Sequence, residues 1–304
     1  MAAVPSEIEH KATAEAGLKR IETSELSIVR VPGRAGTFAY ERESERPVGA
    51  RDRKRIMDLV IPPAWSEVRI AADPQAHIQA IGRDEAGRLQ YIYHADWEDV
   101  RTATKTYRLV QLGSVLGRLR EAIAADLVTD GPKLGLAAAA RLIDLLHLRA
   151  GHEIYAGDEG GRGAATLLKR HLELGDQGFR LRFRGKGGKP VDKSCSDAQL
   201  ADALRELRSI RGPRLFKVRS AEGYRPITAS DLNDYLAARA GKPVTAKDFR
   251  TLFASATALD LLCREGAASS PTHFKRIVSQ IAKTISTELV NTPTITRKSY
   301  IHPL

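Results

Sequence analysis

Four cations and one phenol, spread over residues 149–300 of this 304-residue chain, are side chains suited to chemistry on a phosphate. Arg149 follows the apolar run LIDLLHL and precedes Ala150 and Gly151, so a phosphate can come close and fill the planar guanidinium fork with two non-bridging oxygens. The same arginine closing a helix would serve the helix dipole instead. Lys186 stands between Gly185 and Gly187 at the apex of RFRGKGGK (182–189). A long cation there reaches into a neighbouring site and, with a lowered pKa, can donate a proton; a solvated hairpin tip is the plainer alternative. Lys247 and Arg250, three apart in TAKDFRTLFAS (245–255), share a helix face opposite Phe249, Leu252 and Phe253, as an ordinary surface pair also would. Tyr300 falls near the end of NTPTITRKSYIHPL (291–304), where a single tyrosine is ordinarily an exposed or core-anchoring aromatic.

Such groups need elements to hold them, and the hydrophobic pattern supplies two kinds. From Leu26 to His94 short alternating runs (LSIVRV, TFAYER, EVRIAA, HIQAIGR, LQYIYH) are separated by Pro and Gly signals, with one helical stretch near 50–60. This predicts a small, mostly antiparallel β domain over 1–100, preceded by a loosely held lead-in of about twenty residues. After Trp97 apolar residues recur at helical spacing in 106–127 and 134–151, which places a linker near 98–105. A break at GDEGGRG (157–163) precedes a hairpin at 179–194 that projects Arg180, Arg182, Arg184 and Lys186 from one strand face. Helical patterns return at 197–210, 228–240, 246–264 and 272–290, so 101–304 reads as mainly helical with one small embedded sheet.

The charge belongs to that second part. The chain carries 48 Lys and Arg against 37 Asp and Glu, a formal +11; residues 1–100 hold 14 basic and 17 acidic side chains, leaving 34 and 20 for 101–304. A pI near 9.7 points to a polyanionic partner, and a hydrophobic content of 42% excludes a disordered polycation. LGLAAAA (134–140) is far short of a membrane span, and Glu7, Glu9 and Lys11 interrupt any signal-peptide core, so no membrane association is expected. Two cysteines, Cys195 and Cys263, build neither a disulfide framework nor a zinc cluster, which fits a reducing cytoplasm; no metal and no cofactor is expected.

Arg149, the glycine-flanked Lys186, Lys247-x-x-Arg250 and Asn291-Thr-Pro with Tyr300 nine positions on occur in an order that resembles the type IB DNA topoisomerases, particularly the small poxvirus-like and bacterial forms. IPPAW (61–65), HIQAIGRDEAGRLQYIYH (77–94) and Trp97 resemble the β domain of the same enzymes, so the resemblance spans roughly 26–304. It implies an α+β chain: an N-terminal β-rich DNA clamp (1–100) and a mainly helical catalytic domain of the tyrosine recombinase and type IB topoisomerase kind (101–304) with a small embedded hairpin sheet. It further implies ATP-independent relaxation of supercoiled double-stranded DNA by a monomer that clamps the duplex, in the cytoplasm at the nucleoid.

The roles implied are these. Tyr300 attacks a backbone phosphorus, leaving a 3′-phosphotyrosyl link and a 5′-hydroxyl; a phenol of pKa near 10 is about 4 kcal/mol from ionised at pH 7. Arg149 and Arg250 hold the non-bridging oxygens and Lys186 protonates the departing 5′-oxygen. Asn291 stands where many relatives have histidine and brings an amide donor without charge. Lys247 and Arg184 face phosphates, and Gln90, Tyr91 and Tyr93 contact DNA from the β domain, although strand alternation sends Gln90 to the face opposite the two tyrosines. His302 has no assigned role. A tyrosine recombinase shares the chemistry but usually carries His-x-x-Arg where this chain has Lys247-x-x-Arg250, and a DNA-binding relative without catalysis is the third reading.

Overall fold

The computed structural model describes residues 7–33, 37–42, 48–127, 131, 133–156, 161–176 and 178–303. By internal contacts the chain divides into two units, 1–105 and 106–304.

In the first unit the alternating runs form β1 (Ile28–Pro32), β2 (Phe38–Arg42), β3 (Ser66–Ile70), β4 (Ile78–Arg83) and β5 (Leu89–Tyr93). They pair antiparallel in the order β2-β1-β3-β4-β5. Ile28, Val68, Ile70 and Ala80 of the sheet bury against Ile56 of α2 (Ala50–Asp58) and Val48. The expected loose lead-in is instead part of the fold from residue 7. Ala12 of α1 (Glu7–Glu15) and Leu18 pack on Trp97 and Val100, and Lys19 bridges to Ala76, with its N–H donating to Gln75 O at 2.8 Å. The expected linker at 98–105 is likewise helical, inside α3 (Trp97–Leu127), because no Gly or Pro falls between Trp97 and Leu112 to stop the helix.

The second unit is built around α4 (Leu134–Leu146), which is buried nearly all round, as a helix of Leu, Ala and Ile on every face must be. Packed with it are α5 (Ala198–Ser209), α6 (Ala229–Ala240) and the first half of α7 (Ala246–Glu265). A three-stranded antiparallel sheet, β6-β7-β8, consists of Leu172–Leu174, Phe179–Arg184 and Pro190–Cys195; Phe179, Leu181, Phe183 and Val191 point into the same core. A second small sheet, β9 (Lys217–Ser220) with β10 (Gly223–Pro226), corrects the expectation of one embedded sheet; its short, largely polar and exposed strands carry little hydrophobic alternation.

The rest of α7 and α8 (Pro271–Glu288) form a separate apolar cluster of Ala254, Ala258, Ile277, Ile281, Ile285 and Leu289, against which Tyr300 and Ile301 lie. A last helix, α9 (Pro293–Ser299), was not anticipated. Its signal was present: Thr292 caps it, accepting from Ile295 N–H, and Pro293 occupies the first turn.

Candidate active site

The Arg149 segment begins where α4 is forced to end. His147 adopts a left-handed backbone (φ 55°), its N–H still bonded to Ile143 O, and the chain then leaves the helix. Arg149 therefore lies beyond the helix rather than closing its apolar face, a correction to the helical reading of 134–151. Leu148 is buried while Arg149 is half-buried. Gly151 has φ 87°, and a Cβ there would stand 2.7 Å from Thr166 Oγ1, so glycine is required on both counts.

Residues 161–164 join this segment to the hairpin. Ala164 N–H donates to Arg149 O (2.8 Å) and Arg162 N–H to Arg184 O (2.9 Å). A Cβ on Gly163 would come within 2.5 Å of Arg149 O and one on Gly161 within 2.6 Å of Lys186 Cα. Half of the expected break thus acts as a seam between the two cations, while its residues 157–160 lie outside the described ones. Glycines at 161 and 163 flanking Arg162 were the signal for it.

Lys186 is exposed at the tip, where Gly187 has φ 69°, a conformation that favours glycine. Arg184 Nη1 donates to Gly188 O (3.1 Å) and so braces the turn. The predicted basic stripe is less free than its spacing suggested: Arg180 pairs with Asp192 and Arg182 with Glu173, and Lys186 belongs to the turn rather than to the strand.

On α7 the expected surface pair separates. Lys247 is exposed, but Arg250 is only 3% exposed, its Nη1 donating to His147 O and its Nη2 to Leu289 O (3.0 Å), with Nε buried and unpaired. Asp248 accepts from Thr245 N–H at the start of α7 (2.7 Å) and takes a two-pronged pair from Arg108 (2.7 and 2.8 Å), which fixes the first turn that presents Lys247. His147 stacks on Phe253 with ring centroids 3.7 Å apart; burial, then the charges of Lys193 and Arg250, push it down to about 4, so it is neutral near pH 7 and adds no charge beside Arg250.

Tyr300 ends α9 with its ring 4.9 Å from the Arg250 guanidinium carbon. Burial alone would raise this phenol's pKa, but the charge of Arg250 and its side-chain hydrogen bond to the phenol, followed by the charges of Arg149 and Lys247, outweigh burial and hold it below the ordinary tyrosine value. Asn291 accepts a hydrogen bond from Arg149 Nη2 through its Oδ1, while its Nδ2 is buried without a partner.

Arg149, Lys186, Lys247, Arg250 and Tyr300 line one cavity of about 1090 Å³, together with Arg162 and Asn233, neither of which the sequence reading singled out. Asn291 does not line it and stands behind Arg149. Among the described lining residues there is no carboxylate, so the cavity suits an anion, and its phenol is already biased toward the phenolate an attack on phosphorus requires. Among the described residues no cluster of His, Cys, Asp and Glu could hold a metal ion, and no helix is long and apolar enough to cross a membrane.

The β-domain residues lie on β5, an edge strand of the first unit's sheet. Tyr91 is exposed and stacks on Tyr93 (5.9 Å), which is half-buried against Trp97 (6.1 Å), with Arg101 over its ring (5.4 Å). Gln90 donates to Asp84 Oδ2 (2.8 Å).

Comparison with known proteins adds three findings. A family described as eukaryotic DNA topoisomerase I, catalytic core, matches residues 94–302. A second, bacterial DNA topoisomerase IB, N-terminal domain, matches residues 37–84. The protein named DNA topoisomerase 1B of Acanthamoeba polyphaga mimivirus is similar to this chain, 29% identical over 274 residues that cover 86% of the chain and 81% of the relative.

Proposed function

This chain belongs to the type IB DNA topoisomerases, a family of isomerases, and we propose from that premise that it relaxes supercoiled duplex DNA without ATP by transient cleavage of one strand. The observation that carries the reading is the pairing of Tyr300 with Arg250 in a cavity that Arg149, Lys186 and Lys247 also line and whose described lining residues include no carboxylate.

The Tyr300 phenolate oxygen attacks the phosphorus, a P–O bond to tyrosine forms, and the bond to the 5′-oxygen breaks. Lys186, on a tip that projects from the sheet, gives its proton to that oxygen, which leaves as a hydroxyl. Arg149 is half-buried with only Asn291, among the described residues, as a side-chain partner on its Nη2, and its remaining N–H groups meet the non-bridging oxygens as charge grows on them. Arg250, with both Nη atoms engaged on backbone carbonyls, is a fixed charge beneath the phenol. Asn291 acts first through its carbonyl, which orients Arg149, rather than as the free donor the resemblance implies. Lys247 adds charge at the rim, and Arg184 supports the turn of Lys186. While the 3′ end is held on Tyr300, the free 5′ strand rotates about the intact one, and reversal of the same steps reseals it.

The enzyme acts as a monomer that clamps double-stranded DNA at the nucleoid, with Tyr91 and Tyr93 of the first unit contacting the duplex and Gln90 held in reserve by Asp84. The two units are the clamp domain and the catalytic domain. Relaxation of supercoiled plasmid in EDTA without ATP tests the reading. Wild-type protein should relax the plasmid and leave a denaturant-stable adduct on a suicide substrate, and Tyr300→Phe should do neither. An inert wild-type protein, or an active Tyr300→Phe, overturns it.

A further inference from the structure

The peptide that carries the phenol is fastened from outside its own helix. α9 has only seven residues, far too few to hold itself in water, and Tyr300 already departs from helical geometry (φ −121°). Thr296 O accepts from both Tyr300 N–H (3.0 Å) and Ile301 N–H (3.1 Å), which closes the helix but leaves the following peptides to be fixed by something else.

Ser255 supplies that fastening. It lies on α7 five residues beyond Arg250, and its hydroxyl donates to Tyr300 O (3.1 Å) while accepting from His302 N–H (3.0 Å). A serine within a helix commonly bonds its hydroxyl to the carbonyl four residues back, as Thr251 does here to Lys247 O (3.0 Å). Ser255 spends its hydroxyl on a segment 45 residues away in sequence. The His302 side chain adds a third point, with Nε2 2.6 Å from Thr106 Oγ1 on α3. The backbone on the C-terminal side of the phenol is thereby referenced to α7, the helix whose Arg250 faces the ring, and to α3.

We propose that Ser255, His302 and Thr106 form a latch that seats the nucleophile, Ser255 and His302 being positioning residues that act through Tyr300. The inference rests on the reading of Tyr300 as the attacking group. It gives His302 a role that nothing in its type or spacing announces. The physical reason is that attack needs the phenol oxygen in line with the phosphorus, where a displacement of about 1 Å can cost roughly 100-fold in rate.

The test measures single-turnover adduct formation on a suicide substrate, DNA affinity, thermal midpoint, and amide hydrogen exchange of residues 300–302 in the full chain. Ser255→Ala and His302→Ala should form adduct about 10- to 100-fold more slowly with affinity and midpoint unchanged, and their tail amides should exchange faster. Thr106→Val should slow His302→Ala little further, because both break the same contact. Ser255→Thr, which keeps the hydroxyl, and His302→Gln, which keeps a polar nitrogen at similar reach, should recover most of the rate. Wild-type rates in Ser255→Ala and His302→Ala, or losses matched by equal losses of affinity or midpoint, overturn the latch. If wild-type protein itself forms no adduct, the nucleophile reading fails; the exchange measurement still decides the latch, and unchanged tail exchange in Ser255→Ala refutes it.

Discussion

Replace Arg250 by alanine, and the carbonyl oxygens of His147, partly buried, and Leu289, buried, lose these donors at once. Each buried acceptor left unpaired costs about 1–3 kcal/mol, so the pair should destabilise the second unit by roughly 2–6 kcal/mol. For a unit of about 200 residues, a loss near 4 kcal/mol lowers the melting midpoint by roughly 8–16 °C. Arg149 is embedded differently: it is half-buried, and its partner here is the side-chain carbonyl of Asn291. Its truncation should cost no more than about 1 kcal/mol. Arg149 is assigned to the oxygens of the transition state and Arg250 to the charge on the phenol, so both variants should slow adduct formation, Arg149→Ala by about 100- to 1000-fold. Thermal or urea melts of Arg149→Ala and Arg250→Ala, run beside single-turnover cleavage below the lower midpoint, separate the two effects. A midpoint for Arg250→Ala within about 2 °C of wild type would refute the claim that its guanidinium holds two backbone segments together. Equal destabilisation by both variants would refute the contrast between them.

The pH dependence of cleavage should follow the phenol: burial raises its pKa, but Arg250, Arg149 and Lys247 outweigh burial, so the rate should rise with pH and level off below the ordinary tyrosine value of 10. In Arg250→Ala the rise should move to higher pH, and an unmoved profile measured by single-turnover kinetics would count against Arg250 as the main charge on the phenol. Lys186→Ala should slow cleavage by about 100- to 10,000-fold on ordinary DNA, and a substrate with sulfur in place of the 5′-oxygen, which leaves without a proton, should restore most of the rate. Failure of that restoration would remove Lys186 as the acid. Because Asn291 bonds Arg149, a double-mutant cycle of Arg149→Ala with Asn291→Ala should give a coupling of about 0.5–3 kcal/mol in cleavage, whereas additive losses would mean that Asn291 does not act through Arg149.

Local pattern made much of this protein legible. The alternating runs from Leu26 to His94 became the strands of one antiparallel sheet, and the helical periods at 197–210, 228–240, 246–264 and 272–290 became α5 to α8 within a few residues. Side-chain type, taken with the family resemblance that their order carries, pointed to Arg149, Lys186, Lys247, Arg250 and Tyr300, and all five line one cavity. Periodicity is a property of neighbours in sequence, and it is kept wherever one face of an element meets a core.

Other features were decided by partners far along the chain. That α4 stops at Leu146 depends on His147 accepting a left-handed backbone whose carbonyl is then held by Arg250, 103 residues later. That Arg250 is buried, where its position beside Lys247 suggested a surface pair, follows from its bonds to His147 and Leu289. Glycines 161 and 163 look like a break until the backbones of Lys186 and Arg149 are seen pressed against them. Ser255 and His302 acquire meaning only when the end of the chain returns to α7. The sequence by itself determined which chemical groups are present and the elements that carry most of them. The burial of Arg250, the depressed phenol and the seating of Tyr300 were left to tertiary structure, because each depends on desolvation and charge supplied by segments that no local pattern connects.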